Sequence, residues 1–400
     1  MKEIQGGITA PEGFLAGGLH CGIKKNKEPD LAIIYSTKPA IAVGMYTKNF
    51  VKAAPVLYSQ KALQGGTARA IVVNSGNANA VTGEQGKRDT EAMARTTAMC
   101  LGVSPYEVAV ASTGVIGQFL PIDKVTAGIR KLAPSLKRDG GEDAAAAIMT
   151  TDTVPKSVAV RVQLSRGSIT VGGIAKGAGM ICPDLATLLV FITTDANIDV
   201  GLLSHALDVA VEASFNALTI DGDTSTNDTV LALANGAADA SSITGLTADY
   251  YAFETALKHV CARLAEMIAR DGEGATKLAR VNVLGALTKA DADRIAKTIA
   301  NSLLVKTAIF GNDANWGRVI AAAGRAGVEI DPGLIDIDIG GLPLLKHGVP
   351  QSFDEKQAKE ILSQKEVAIT IELHLGPESA TVLTCDLSYD YVKINAAYRT

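Results

Sequence analysis

The stretch that most constrains this chain is Lys176-Gly177-Ala178-Gly179-Met180-Ile181-Cys182-Pro183-Asp184-Leu185-Ala186-Thr187, followed at once by Leu188 to Asp195. A glycine-rich, proline-bearing loop ends on a threonine, and a short apolar run rich in β-branched residues begins. Such a run is too short and too branched for a helix and reads as a buried strand. A hydroxyl therefore sits where a loop meets a rigid element, a position suited to a nucleophile. Strand geometry alone also accommodates a threonine there, so the local pattern leaves both readings open.

Composition narrows the classes of function. The 400 residues are 47% hydrophobic and only 4% aromatic, which suits a packed enzyme core and argues against a base-stacking surface. A net charge of −4 without a basic run argues against nucleic-acid or anionic-membrane partners. Five cysteines, widely spaced and without a CxxC pair, read as reduced thiols and not as a zinc site. Neither a signal peptide nor a membrane span is expected, so the protein reads as soluble and cytoplasmic.

Along the chain, Leu31–Tyr35 and Ala40–Tyr46 look like two paired strands, and Ala68–Val73 is another that runs into Asn74-Ser75-Gly76-Asn77-Ala78-Asn79-Ala80. That polar cluster is either a turn or a site loop. Lys87–Leu101 reads as a helix. Val108–Ala111 is a strand entering Ser112-Thr113-Gly114-Val115-Ile116-Gly117, either a plain turn or one that aims N–H groups at an oxyanion. Ala144–Met149 suggests a short helix, and Ser157–Leu164 with Ser168–Gly173 a hairpin. Helices follow at Val200–Phe215 and Ala248–Ala269, separated by the polar run Asp221–Thr229. That run fails as a calcium loop, since Thr226 stands at the glycine position and Ala232 where a glutamate is needed. Its side chains are suited instead to bonding backbone groups.

A smaller unit opens at the strand Arg280–Ala286. A helix at Ala290–Leu304, short strands at Val328–Ile330 and Leu334–Ile339, and a helix at Asp354–Leu362 come next. Val367–Leu375 and Ala380–Leu387 alternate and are expected to pair as a half-exposed hairpin. Glu273, set between Gly272 and Gly274, has close backbone on both sides and suits an ammonium group.

No GxSxG, HExxH, kinase set or dinucleotide fingerprint is present, and the five histidines are scattered. Without an advertised histidine base, a nucleophilic threonine would use its own α-amine, whose ordinary pKa of about 8 suits the task. For Thr187 to own a free amine, the Ala186–Thr187 bond must first be cut.

In order, the segments Asn74–Ala80, Ser112–Gly117, Thr150–Thr153, Lys176–Ile181, Ala186–Leu189, Asp221–Thr229, Arg270–Gly274, Asn312–Arg318 and Ile394–Thr400 resemble the glutamate N-acetyltransferase (ornithine acetyltransferase) family of arginine biosynthesis, often bifunctional. The resemblance implies an α+β fold: a mixed-sheet, layered α/β/β/α sandwich of the N-terminal-nucleophile kind over residues 1–275, with a smaller C-terminal α/β domain over 276–400. It implies self-cleavage between Ala186 and Thr187 into α and β chains assembled as an α2β2 heterotetramer. Thr187 would be the nucleophile and Thr113 with Gly114 the oxyanion hole. Substrate contacts would fall on Thr153, Lys176, Thr187, Glu273, Asn395 and Thr400. The implied reaction carries acetyl from N2-acetylornithine to glutamate through an acetyl-threonine ester, with no metal or cofactor and with acetyl-CoA open as a further donor. Cys182, Asp184, Leu185, Leu189 and Val81 depart from residues common in the family, while Thr187 is kept. Rival readings are a self-processing amidase or aminopeptidase on the same scaffold, an acetyltransferase of secondary metabolism, and a non-catalytic amino-acid-binding protein.

Overall fold

The computed structural model describes residues 1–182 and 188–397, arranged in two compact units. The described part of the first comprises Met1–Met180, 188–216 and Asp223–Ile268, and that of the second Ile181, Cys182, Ala217–Gly222 and 269–397. The sequence divides the chain after residue 275. The second unit instead begins at Ala269 and also draws in Ala217–Gly222.

The first unit is built on nine strands: β1 (Lys2–Ile4), β2 (Phe14–Leu19), β3 (Leu31–Tyr46), β4 (Thr67–Asn77), β5 (Val108–Val115), β6 (Lys156–Gln163), β7 (Ser168–Lys176), β8 (Leu189–Thr194) and β9 (Thr229–Ala234). They form one mixed sheet in the order β1-β6-β7-β8-β9-β3-β4-β5, with β2 also on β3. The expected hairpin at 157–173 is present as β6 and β7, paired antiparallel from Lys156↔Ala175 to Gln163↔Ser168.

The two strands expected at 31–46 are one strand. Its first part pairs with β2 and β4 and its last part, from Ile41, with β9. A register shift between Tyr35 and Ala40 lets the strand pass from one half of the sheet to the other. Local alternation breaks at Ser36–Lys38, and without the partners visible that break looks like a turn.

Alternation along β3 then sorts the layers. After helix α1 (Ala54–Ala62) come α2 (Gly83–Leu101) and α3 (Ile122–Leu132), and Leu31 and Ile33 face a cluster with Met93 and Ala94 of α2 and Val125 and Ile129 of α3. Ala32 and Ile34 face a second cluster that joins Val73 and Ala111 to Ile174, Phe191 and Leu231 from the other half. A short helix, α4 (Gly141–Ala147), contributes Ala144 and Ala145 to that inner layer. Helices α5 (Val200–Glu212) and α6 (Ala248–Arg270) follow β8 and β9. Close packing of α6 on β7 is set by Gly173, where a Cβ would lie 3.1 Å from Leu264 and 3.2 Å from Val260. Helices thus lie outside a sheet whose two halves share an inner layer, the layered order that the resemblance implies.

The second unit holds a six-stranded sheet, β13-β12-β11-β14-β10-β15. The strands are β10 (Leu278–Ala286), β11 (Asp336–Ile339), β12 (Leu342–Lys346), β13 (Val349–Pro350), β14 (Glu366–Glu372) and β15 (Glu378–Cys385). The expected hairpin of β14 with β15 does not form. Each pairs with β10 instead, β14 in parallel and β15 antiparallel. Val281 and Val283 of β10 are fully buried, and the strand lies between β14 and the edge strand β15. The connection passes round the end of β10, where Leu375 and Gly376 donate to Gly285 O. Gly285 has φ 69, and a Cβ there would lie 2.7 Å from His374 N, so this crossing needs glycine.

The helix expected at 290–304 divides into α7 (Lys289–Ala300) and α8 (Leu303–Phe310) because Ser302 caps the second through Val305 N–H. Helix α9 (Trp316–Gly324) has Trp316 packed against the unit's core, as a lone tryptophan would predict. Val328–Ile330 is not a strand. Helices α10 (Glu355–Leu362) and α11 (Tyr389–Ala397) complete the unit. No helix among the described residues is long and apolar enough to cross a membrane.

Candidate active site

Thr113 and Gly114 are among the last residues of β5 itself, not in a turn beyond it, and pair with Ser75 and Gly76 of β4. A bulge at Gly76–Asn77 opposes this end. Gly114 has φ 131, and a Cβ there would lie 2.3 Å from Gly76 C and 2.5 Å from Asn77 N, so only glycine fits. The Asn74–Ala80 run proves to be the scaffold behind this end. Asn74 Nδ2 donates to Asn77 O at 2.8 Å, and Ser112 Oγ donates to Asn74 Oδ1 at 2.6 Å.

Lys176 closes β7 and is buried. Its Nζ donates to Thr113 Oγ1 at 3.3 Å, although β7 and β5 are far apart in the sheet order. This contact is made across the inner layer by the facing halves. A positive charge therefore bears on the Thr113 hydroxyl. Beneath it, Gly177 N–H donates to Asp152 Oδ1 at 2.7 Å, and Lys156 Nζ reaches the same oxygen at 2.7 Å in a fully buried ion pair. Burial by itself would raise the Asp152 carboxyl, but the Lys176 and Lys156 ammoniums and the Gly177 N–H hold it down at about 2. Thr153, next to Asp152, is exposed.

The polar run before β9 binds both sides of this arrangement. Asn227 Nδ2 donates to Ala78 O at 2.7 Å and to Ser112 O at 2.8 Å, one residue before Thr113. Asp228 Oδ1 accepts from Leu188 N–H at 2.9 Å, one residue after Thr187, and Thr229 N–H donates to Leu188 O at 3.1 Å. The run thus does what its composition suggests, using side chains to hold backbone. Lys156, Asp152, Asn227 and Asp228 were not singled out from the sequence as site residues. The signal available was the density of charge in segments flanked by buried strands. Ala186, Thr187 and Thr400 lie outside the described residues.

In the second unit, Glu273 is buried and accepts from Asn395 Nδ2 at 2.8 Å, while Asn395 also donates to Tyr391 O at 3.0 Å. Two residues named for substrate contact are thereby joined, one following α6 and one on α11. The close approach expected beside Glu273 is present. A Cβ on Gly272 would lie 2.8 Å from Cys385 Sγ, and one on Gly274 would lie 2.4 Å from Tyr391 N. Asp221 belongs here and accepts from Ile181 N–H at 2.8 Å.

Burial raises the Cys182 thiol, which makes it a poor nucleophile. One group of described residues, Asp336, His347 and His374, brings three possible metal ligands within 4.8 Å of one another. Lys346 Nζ already bonds Asp336 Oδ2 at 2.6 Å, placing a cation where a metal would compete. A cavity of about 190 Å³ is lined by Tyr58, Lys61, Glu91, Arg95 and Tyr106, none of them site candidates.

The model of the ArgJ family matches residues 15–400. A protein of Symbiobacterium thermophilum named arginine biosynthesis bifunctional protein ArgJ is 52% identical, over all of both chains. A protein of the same name from Oceanobacillus iheyensis is 48% identical over all of this chain and 99% of its own. The crystal structure of the protein of that name from Bacillus halodurans is 47% identical with a TM-score of 0.50, and covers 52% of this chain and 98% of its own. With the site's elements carried by the same residues that announced the resemblance, the chain belongs to the ArgJ family, the arginine-biosynthesis acetyltransferases that its motifs resemble.

Proposed function

We propose that this protein moves an acetyl group from N2-acetylornithine to glutamate through an ester on Thr187, after cutting itself between Ala186 and Thr187. The observation that carries the reading is the buried Lys176 ammonium on the Thr113 hydroxyl beside Gly114. In the proposed steps the α-amine of Thr187 takes the hydroxyl proton and Thr187 Oγ attacks the acetyl carbonyl. Thr113 and Gly114 hold the oxyanion, ornithine leaves, and glutamate then takes the acetyl group.

Lys176 is suited to an α-carboxylate and Glu273 to an ammonium group. Thr153, Asn395 and Thr400 are proposed to supply neutral hydrogen bonds. No cofactor enters these steps. The word bifunctional in the relatives' names supports acetyl-CoA as a second donor. The solved Bacillus halodurans chain matches nearly its whole length to only 52% of this one, so it is about half as long. That length supports a cut near residue 187. The α and β chains are proposed to assemble as α2β2 in the cytoplasm.

A mass spectrum of purified protein before and after adding N-acetylornithine tests the reading. Two chains are expected from the start, the one beginning at Thr187 gaining the mass of one acetyl group. Fully active material in one continuous polypeptide, or acetate release without an adduct, would overturn it. Thr187→Ala is expected to leave a single inactive chain, and Thr187→Ser one that is still cut.

A further inference from the structure

Lys24 is a half-buried lysine that the steps above leave unused. It stands on the loop between β2 and β3, which closes round one carboxylate. Asp30 is fully buried and accepts from the N–H groups of Cys21 at 2.6 Å, Gly22 at 3.2 Å, Ile23 at 2.7 Å and Lys24 at 2.9 Å. Its carbonyl accepts from Ser75 N–H at 2.9 Å, which ties the loop to the end of β4. Next to Ser75, a Cβ on Gly76 would lie 3.0 Å from Ile23 Cγ2 and 3.1 Å from Lys24 Cγ. The stem of Lys24 therefore lies against the residue that pairs with Gly114, while Lys176 donates to Thr113 beside it. Lys24 Nζ donates to Pro29 O at 2.8 Å, a contact that leaves an ammonium further donors for a ligand.

We infer that Lys24 is a second cation of the substrate site, taking the side-chain carboxylate of the acceptor glutamate while Lys176 takes its α-carboxylate. The inference rests on the acetyl-transfer reading above and adds to it what selects the acceptor.

Two ammoniums brought to one strand end favour a ligand with two carboxylates. Burial pushes the Lys24 ammonium below its ordinary value; Glu28, Asp30 and Asp152 act to raise it, and Lys176 to lower it. A carboxylate bound at Lys24 relieves both the burial of that charge and its repulsion by Lys176. Lys25 and Lys27 of the same loop are exposed, and water already solvates their charges. Ornithine ends in an ammonium, to which Lys24 offers only repulsion, so the residue favours the acceptor over the departing product.

The test gives the enzyme N-acetylornithine as donor and either glutamate or glutamine as acceptor, and measures kcat/KM for each acceptor. Glutamine keeps the α-carboxylate and the shape of the side chain but not its charge. Lys24→Met is expected to lower the preference for glutamate over glutamine about ten- to a hundredfold, the worth of one charged hydrogen bond. Lys25→Met is expected to keep the wild-type ratio. A wild-type enzyme indifferent between the two acceptors, or a ratio unmoved by Lys24→Met, overturns the inference. So does an equal loss with both acceptors, the mark of a structural role. A ratio that falls as far in Lys25→Met also overturns it, by assigning the preference to the general charge of the loop. Wild-type protein that forms no acetyl adduct from N-acetylornithine sinks the underlying reading instead.

Discussion

The two sheets of this acetyltransferase handle polar residues in opposite ways. Strands β8 and β9 of the first unit are buried at every position, whereas β14 of the second alternates buried with partly or fully exposed residues. Charged groups at the strand ends of the first unit have little water to turn to, and they bond one another or the backbone. Some of those of the second, such as Lys346 on Asp336, sit at the surface, while Lys277 and Asp386 at the ends of β10 and β15 are buried as in the first. Two-face burial makes each polar residue near the site costly and specific, while a one-faced sheet carries its charges at little cost.

The largest test of that contrast is Lys156→Met. Removing one partner of the buried Asp152 pair is expected to destabilise the protein by roughly 3–5 kcal/mol, read as a fall in the urea midpoint. A loss below about 1 kcal/mol would put this pair in the same class as the surface ones.

Gly114→Ala comes next. With φ 131 and a Cβ meeting Gly76 at 2.3 Å, the strand end must shift. Transfer is expected to fall about 10²–10³-fold, the effect of losing one oxyanion donor, with strain of roughly 1–3 kcal/mol. Steady-state kinetics and melting would show both, and unchanged kcat would remove Gly114 from the oxyanion hole.

Acid sensitivity sharpens the comparison further. The Asp152 carboxyl is held at about 2 in the fold, below its ordinary 3.8. A depressed carboxylate contributes stability that is present above the unfolded value and lost as pH falls through the folded one. Urea midpoints should therefore decline between about pH 4 and pH 2, and Asp152→Asn should flatten that decline. A limb of equal depth in the variant would assign acid lability elsewhere.

The smallest effect is expected for Lys346→Ala, whose ion pair has one partner more than half exposed. Its cost should be at most about 1 kcal/mol and should vanish in high salt.

From residues alone came the loop-to-strand junction before Leu189, the β6–β7 hairpin, the amphipathic helices and the ordered motifs that mark the family. Each rests on local periodicity, on glycine and proline, or on residue order, all of which survive in one dimension. Tertiary structure decided which strands became neighbours. It made 31–46 a single strand shared by two half-sheets, and it set β10 between two strands that looked like each other's partners. It also gathered Asp152, Lys156, Lys176 and Thr113 into one buried cluster and brought Asp228 onto Leu188. Those bonds join residues far apart in the chain, and the burial that gives them their strength is a property of the packed layers, invisible until the sheet has formed.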